Sequence, residues 1–301
     1  MPSEVTISLP PNFSFRHTVG SHGWYDLPPF EYSPSRPEMT YVFMPAAGRP
    51  PVSVSVKLVR RRLVVTYSAD PAENGRVAKG IRHILRLDEP LDEFYRLISS
   101  DPQLGWASTA GAGRLLRSEN VWEDLVKTIC TTNCSWALTK KMVSNLVQKL
   151  GEPAADGRKA FPTPRAMADV EADFYRNEIR AGYRSPYLAE LAQAVSSGQL
   201  DPETWLTSEL PTAELRKQLK KVKGVGDYAA DNLLKLLGRY DGGLALDSWV
   251  RSQFYKKHNR GKACEDKKVI RFYEKFGRWR ALAVWCDITE HWFNQDVSRS
   301  A

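Results

Sequence analysis

The spacing of apolar residues changes near residue 118, and this change constrains the fold more than any other feature of the chain. Before it, Val52, Val54 and Val56 alternate with polar residues, which is the pattern of a half-buried strand. Residues 63–67 predict a second strand. After it, apolar residues recur at helical spacing. The sequence therefore predicts an α+β protein, with an antiparallel β-sheet domain at residues 1–105 and an all-α domain at residues 106–301.

The helical part is predicted to contain a series of amphipathic helices. The first carries an apolar stripe that includes Val121, Leu125 and Ile129, and the second ends at Gly151, a residue type that commonly follows a helix. A short helix is also expected at about 91–98. The further helices are expected near residues 165–179, 186–196, 202–221, 226–237, 247–257, 266–275 and 279–293.

The positive charge of the chain is concentrated in one segment. The chain carries 43 Lys and Arg against 35 Asp and Glu, which gives a net charge of +8. Between Glu214 and Lys262 there are 12 basic and 5 acidic residues, so this segment holds nearly all of the excess. Such a segment is either a solvated helix face or a phosphate-binding surface. A glycine-rich turn inside it favours phosphate binding.

We expect neither a membrane protein, nor a secreted protein, nor a protein with a metal cluster. No stretch approaches the ~18 apolar residues that a membrane helix needs, and the start of the chain lacks a secretory signal. The spacing of the cysteines fits neither a zinc ribbon nor a four-cysteine iron–sulfur loop, so we expect reduced thiols and no iron–sulfur cluster. The cysteines are Cys130, Cys134, Cys264 and Cys286. We expect a cytoplasmic protein, associated with the nucleoid, or a nuclear protein in a eukaryote.

Residues 219–238, with the sequence LKKVKGVGDYAADNLLKLLG, predict two helices joined by a tight turn. Gly224, Val225 and Gly226 form the turn, where glycine permits positive φ and close approach of another backbone. The first amides of the second helix are unpaired and carry the positive end of its dipole, so they can bind a phosphate oxygen. Three lysines flank the turn: Lys220, Lys221 and Lys223. The segment is interpreted as a helix–hairpin–helix that clamps the DNA backbone, with an ordinary corner between two helices as the alternative.

Asp247 lies 21 residues after Gly226, between a glycine-rich loop at 241–243 and an apolar helix. At the start of a helix, Asp accepts hydrogen bonds from the next amides and caps the helix. The same position would hold an ionised carboxylate rigidly at the mouth of a cleft. Asp247 is therefore a candidate catalytic group, and a role as a helix cap alone is the alternative.

Together, the hairpin, the glycine-rich loop and Asp247 resemble the helix–hairpin–helix DNA glycosylase superfamily, whose members excise damaged bases. Four further segments resemble elements of its 3-methyladenine glycosylase II and 8-oxoguanine glycosylase branches; they are residues 129–133, 161–170, 182–187 and 276–286. The resemblance covers about residues 110–293, and both branches carry an additional N-terminal antiparallel β domain. It implies two helical subdomains that flank a cleft. It also implies a monomer whose partner is double-stranded DNA with a damaged base, and which does not bind a membrane.

The resemblance also implies a mechanism and a pocket. Asp247 would stabilise the oxocarbenium character of the sugar and orient a water molecule. Tyr228 and Trp249 would form walls for the flipped base, and Asn232, one helical turn after Tyr228, would line the same pocket. The alternative for Tyr228 is an aromatic residue of the core.

Further roles concern the DNA surface and the hairpin. Asn133 would fill the gap left by the flipped base, and Arg184 would read the partner base, with surface polar residues as the alternative for both. No cofactor is required. The family hairpin often holds an alkali cation, Na⁺ or K⁺, and the matching backbone carbonyls here are those of Lys220, Val222 and Val225.

Tyr228 is also a departure from the family pattern. Bifunctional members carry a lysine at this position that forms a Schiff base with the sugar, and a phenol cannot form an imine. The resemblance thus implies a monofunctional glycosylase that uses water. An alkylated purine is favoured, because its weakened glycosidic bond suits a single carboxylate. The alternatives are an 8-oxoguanine or deaminated-purine glycosylase, a non-catalytic damage-binding protein, and a lyase that uses another lysine such as Lys223.

Overall fold

A five-stranded antiparallel sheet forms the N-terminal part of the protein. The computed structural model describes residues 3–33, 37–45 and 49–294. The strands lie in the order β1-β5-β4-β3-β2, and their bounds are β1 Ser3–Ser8, β2 Glu31–Ser33, β3 Glu38–Phe43, β4 Val52–Val59 and β5 Arg62–Tyr67. The two strands expected from the sequence, β4 and β5, are neighbours, with Val56 opposite Val65. The predicted fold class is confirmed.

The remainder of the described chain is mainly helical. The helices are α1 Phe15–Val19, α2 Asn74–Ile84, α3 Asp92–Ile98, α4 Gly105–Ala110, α5 Val121–Thr131, α6 Trp136–Leu150, α7 Pro164–Ala168, α8 Ala172–Phe174, α9 Ser185–Ser196, α10 Thr212–Leu219, α11 Asp227–Leu236, α12 Ser248–His258, α13 Asp266–Tyr273 and α14 Arg280–Asn294. Short 3₁₀ turns lie at Gly23–Asp26, Pro71–Glu73, Gly182–Arg184, Pro202–Trp205 and Glu274–Trp279, and a π-helical turn lies at Tyr175–Ile179.

Two helix predictions differ from the structure, and three of the described helices, α1, α2 and α4, were not expected. The single helix expected over 202–221 is wrong, because a 3₁₀ turn at Pro202–Trp205 precedes α10, which begins only after Pro211. The helix expected over 165–179 is divided into α7, α8 and the π-helical turn. Helix α2 was not expected, although its buried apolar residues follow helical spacing, because it lies in a segment that was interpreted as β-rich.

The sheet is joined to the helical part through α5. The Tyr41 hydroxyl of β3 donates to a Glu123 carboxylate oxygen at 2.7 Å. Glu123 is ion-paired with Lys127 at 2.6 Å, and both side chains are fully buried. Because a buried ion pair is tolerated only when its hydrogen-bonding groups are satisfied, these contacts hold α5 in one position against the sheet.

The sheet and the helices share one continuous hydrophobic core. Phe94 of α3 packs against Trp279, with ring centroids 5.5 Å apart. Trp285 of α14 donates its indole N–H to the Ser21 carbonyl at 2.8 Å. The N-terminal part therefore supports α14. The domain boundary at residue 105 stays a prediction. Within the described ranges, no helix is both long and apolar enough to cross a membrane.

Candidate nucleic-acid interface and active site

The turn between α10 and α11 is a tight hairpin. Gly224 has a φ of +89°, a left-handed conformation that is costly for other residue types. A Cβ on Gly224 would lie 3.1 Å from the Tyr187 side chain, whereas a Cβ on Gly226 would meet no atom within 4 Å. Val225 between them is buried. Packing thus fixes Gly224, and the exposed Gly226 leaves the amide end of α11 accessible to a phosphate.

The three lysines at the hairpin are exposed. Lys220 is ion-paired with Asp227 at 2.5 Å, and Lys223 is ion-paired with Glu190 at 2.6 Å. Exposed ion pairs of this kind contribute little to stability. The lysines can therefore exchange a carboxylate for a DNA phosphate at small cost, as their proposed role requires.

The carbonyls predicted to bind an alkali cation belong to the end of α10 and to the turn. The Val222 carbonyl accepts a hydrogen bond from the Val225 amide at 3.0 Å. Carbonyls at a helix end have no intrahelical partner, and carbonyl oxygens suit hard cations. The turn is compatible with such a cation, whose binding stays a prediction. Elsewhere in the part of the chain that the structure describes, no group of His, Cys, Asp and Glu side chains could hold a metal ion.

Asp247 caps helix α12. Its carboxylate accepts a hydrogen bond from the Val250 amide at 2.7 Å, and its backbone is extended, as is typical of this position. The residue is partly buried. The cap therefore holds the carboxylate in one orientation while leaving it accessible.

Tyr228 lies beside Asp247. Burial and the Asp247 carboxylate raise the pKa of Tyr228 to about 12, and its hydroxyl also contacts Thr131 and Asn232. The hydroxyl is therefore protonated at neutral pH and lies near the carboxylate. The Asn232 amide donates to the Tyr228 carbonyl at 3.0 Å. The structure thus brings together Asp247, Tyr228 and Asn232, and it adds Thr131, which the sequence analysis did not identify.

The glycine-rich loop before Asp247 is held against α11. A Cβ on Gly243 would lie 2.2 Å from an Asp231 carboxylate oxygen, so only glycine fits there. Asp231 is buried and ion-paired with Arg216 at 2.6 Å. This contact fixes the distance between the loop and the hairpin helix, and therefore the position of Asp247 relative to Tyr228. The sequence analysis did not identify Asp231, although an acidic residue among the apolar positions of α11 indicates a buried carboxylate with a specific partner.

A tryptophan cluster continues from Trp249 to the last helix. Trp249 lies 6.0 Å from Trp285 and 5.4 Å from Trp292, measured between ring centroids. Trp249 was predicted to form a wall of the base pocket. Because it is only partly buried and close in sequence to Asp247, it offers a stacking surface near the carboxylate, and that role stays a prediction.

Lys235 of α11 was not identified from the sequence. It is 4% exposed, and its Nζ lies 4.7 Å from the centroid of the Trp285 ring. Burial lowers the pKa of Lys235 to about 8, while the charges of Asp231 and Asp247 act in the opposite direction. A cationic side chain thus lies close to both the tryptophan cluster and the candidate carboxylate.

The surface beside the hairpin presents Asn133 and Tyr183. Asn133 follows α5 with a φ of +44°, and its amide lies 3.5 Å from the hydroxyl of Tyr183, which is 50% exposed. Arg184 is buried, and its guanidinium donates to the carbonyls of Ile129, at 3.2 Å, and Thr132. Arg184 therefore fixes the turn that presents Asn133. Its predicted contact with the partner base stays a prediction, and the exposed Tyr183 was missed.

One curated protein shares sequence with this chain. No family model matches. Over 177 residues the chain is 24% identical to a Saccharomyces cerevisiae protein described as an N-glycosylase/DNA lyase, and the match covers 55% of this chain. It covers 47% of that relative, so the matched region spans about half the relative's length.

Solved structures share the fold over nearly the whole chain. The Archaeoglobus fulgidus 3-methyladenine DNA glycosylase superposes with a TM-score of 0.77 and 20% identity, over 97% of this chain and 99% of that one. The Clostridium acetobutylicum 8-oxoguanine glycosylase/lyase, in complex with double-stranded DNA containing cytosine opposite 8-oxoguanine, gives a TM-score of 0.75 and 21% identity over 98% of both chains. At these identities the likeness shows the fold alone.

Proposed function

Because this chain has the fold of the helix–hairpin–helix DNA glycosylases, we propose that it is a monofunctional glycosylase that hydrolyses the N-glycosidic bond of a damaged purine in duplex DNA. The observation that carries the proposal is the position of Asp247. Its carboxylate is partly buried, fixed by the cap of α12 and in contact with Tyr228 of the hairpin helix. The similar proteins named above support excision of a base, and they differ in whether a lyase step follows.

In this mechanism the hairpin binds the DNA backbone and Asp247 acts on the sugar. The amide end of α11 and the flanking lysines hold a phosphate, and the damaged base leaves the stack to lie against Trp249. The C1′–N bond breaks, and the Asp247 carboxylate stabilises the positive charge on the sugar. The carboxylate then takes a proton from the water that attacks C1′. An alkali cation on the hairpin carbonyls of Lys220, Val222 and Val225 would add positive charge toward the same phosphate.

Tyr228 supports the absence of lyase chemistry. With a pKa raised to about 12, its phenol is protonated, and it has no amine with which to form an imine. Its hydroxyl instead donates to Asp247 and holds the carboxylate toward the sugar. Lys223 is exposed and ion-paired with Glu190, an environment that favours contact with phosphate over attack on C1′.

The lesion is the finer part of the proposal. An alkylated purine suits a site with one carboxylate, because its glycosidic bond is already weakened. That preference holds only if the site has no group that donates a proton to the base as it leaves. Oxidised and deaminated purines are the second candidates, and they become the favoured substrates if Lys235 assists the departing base.

The proposal is tested by base release from duplexes that carry 3-methyladenine, 7-methylguanine, hypoxanthine or 8-oxoguanine, with undamaged duplex as the control. Mass spectrometry should detect at least one free damaged purine, and the abasic strand should break only after alkali. A borohydride-trapped protein–DNA adduct would show lyase chemistry and contradict the monofunctional part. Salt-dependent binding without release of any base would instead establish a damage-binding protein.

A further inference from the structure

Lys235 is a buried cation whose Nζ has neither a carboxylate within 4 Å nor a hydrogen-bond acceptor among the described residues. Its Nζ lies over the face of Trp285, at 4.7 Å from the ring centroid. A buried ammonium is unfavourable unless it is paired and hydrogen-bonded. Lys235 therefore retains a strong, desolvated hydrogen-bond donor that the protein itself does not use.

The position of Lys235 connects this donor to the candidate active site. Tyr228, Asn232 and Lys235 follow one another at intervals of four and three residues, so they share one face of α11. The charge of Asp247 acts on both Tyr228 and Lys235. Trp285, which stacks with the ammonium, packs against Trp249. The carboxylate, the aromatic surfaces and the ammonium thus surround one region, with Lys235 at its inner end.

We propose that Lys235 donates from Nζ to the flipped purine and protonates it as it leaves, an assignment that rests on the proposed glycosylase function. The C1′–N bond breaks with both electrons passing to the base, and the Lys235 ammonium supplies the proton that neutralises it. The oxygen of water forms the new bond to C1′, and the proton of that water passes to the Asp247 carboxylate. Exchange with solvent restores both groups, so the net reaction is the addition of water.

The substrate class that follows is a neutral damaged purine, oxidised or deaminated, with an oxygen or ring nitrogen that can accept from Nζ. A neutral purine departs as an anion and requires a proton, whereas a cationic N-alkylpurine departs as a neutral base. A fixed ammonium also repels a cationic base. Because burial lowers the pKa of Lys235 to about 8, its proton is present at neutral pH and is released more readily than that of an ordinary lysine.

The test compares Lys235→Met with Lys149→Met, a control at an exposed lysine of α6 that is ion-paired with Glu178. Single-turnover release is measured for hypoxanthine, 8-oxoguanine and 7-methylguanine in otherwise identical duplexes. Lys235→Met should slow release of the neutral purines by roughly 100-fold, the usual size of general acid catalysis. Release of 7-methylguanine should be unchanged or faster, and Lys149→Met should match the wild type.

The pH profile gives a readout that a structural role would not change. Wild-type release of a neutral purine should decrease above about pH 8, where Lys235 loses its proton, and Lys235→Met should lack this decrease. The charged groups that face Lys235 are Asp231 and Asp247. His22 is also close, but burial lowers its pKa to about 3, so it does not titrate near pH 8.

Three results would overturn the assignment. An equal loss of release for neutral and cationic bases would indicate a structural role, as would weakened binding of Lys235→Met to a duplex with a stable abasic-site analogue. A wild-type protein that releases only 7-methylguanine would also contradict it, while leaving the glycosylase function intact. A wild-type protein that releases no base from any duplex would refute the glycosylase function itself.

Discussion

Replacing Asp247 separates its two roles, because asparagine and alanine remove different parts of the side chain. Asp247→Asn keeps an oxygen that can accept the 2.7 Å hydrogen bond from the Val250 amide, but it removes the charge. Asp247→Ala removes both. If Asp247 is catalytic, the two variants should lose activity equally and differ in stability.

The two effects have different expected sizes. A carboxylate about 4 Å from a cationic sugar carbon, at an effective dielectric constant of about 20, contributes about 4 kcal/mol, which corresponds to roughly a 1000-fold change in rate. Loss of an N-cap costs about 1 kcal/mol of unfolding free energy. We therefore expect both variants to be roughly 1000-fold slower, and only Asp247→Ala to be destabilised, by about 1 kcal/mol.

The assay is single-turnover base release on the most reactive duplex, combined with urea unfolding of each variant. Asp201→Asn is the matched control, because Asp201 caps the 3₁₀ turn at Pro202–Trp205 through the Glu203 amide at 3.0 Å and is exposed. It should retain wild-type activity. If Asp247→Asn releases base within about threefold of the wild-type rate, Asp247 is a helix cap only, and the catalytic reasoning is refuted.

Four further predictions concern the hairpin helix. Tyr228→Lys should form a borohydride-trapped adduct that the wild type lacks, because the amine would lie beside Asp247; no adduct would mean that C1′ does not come within reach of residue 228. Gly224→Ala should lower the unfolding free energy by about 1–2 kcal/mol, as expected for a residue in the left-handed conformation. Gly226→Ala should leave the unfolding free energy unchanged and weaken duplex binding. The prediction is contradicted if the two variants give the same urea unfolding curve and the same duplex affinity. Lys221→Met should reduce the slope of log K against log salt by about 0.9, and an unchanged slope would exclude a phosphate contact. Folding lowers the pKa of Lys235 from 10.5 to about 8, so the folded state loses this proton at a lower pH than the unfolded state does. The unfolding free energy of the wild type should therefore rise with pH across that interval. Urea unfolding at a series of pH values should show no such rise for Lys235→Met.

The local features of the fold could be predicted from the sequence. The alternation at Val52–Val56 and the placement of Gly224 and Gly226 are set by neighbouring residues, so β4 and the hairpin were located to within a few residues, and α11 to within one at each end. The start of α10 could not be predicted, because the apolar pattern of residues 202–221 continues across Pro211 and the helix begins only after that residue. Periodicity identifies a helix more reliably than it identifies its ends.

The direction of buried polar side chains could not be predicted. The sequence resemblance implies that Arg184 belongs to a segment near the DNA, but only packing shows that its guanidinium binds the carbonyls of Ile129 and Thr132. Lys235 is one of many basic residues in a basic segment, and nothing in its neighbours distinguishes it from an exposed lysine. Its Nζ lies over Trp285 of α14, which is 50 residues later in the chain.

The positions of Tyr228 and Lys235 together suggest how the chemistry of the site differs from that of the lyases that the sequence resembles. In those proteins the amine beside the carboxylate attacks the sugar. Here the amine is seven residues further along the same helix face, which corresponds to two turns or about 10.5 Å, and it lies against Trp285. An ammonium that acts on Asp247 is thus present in both kinds of protein. In this chain it lies toward the region expected to hold the base instead of beside the sugar. An amine in that place would protonate a departing purine and would lie away from C1′, which is the arrangement that the proposed monofunctional hydrolysis requires.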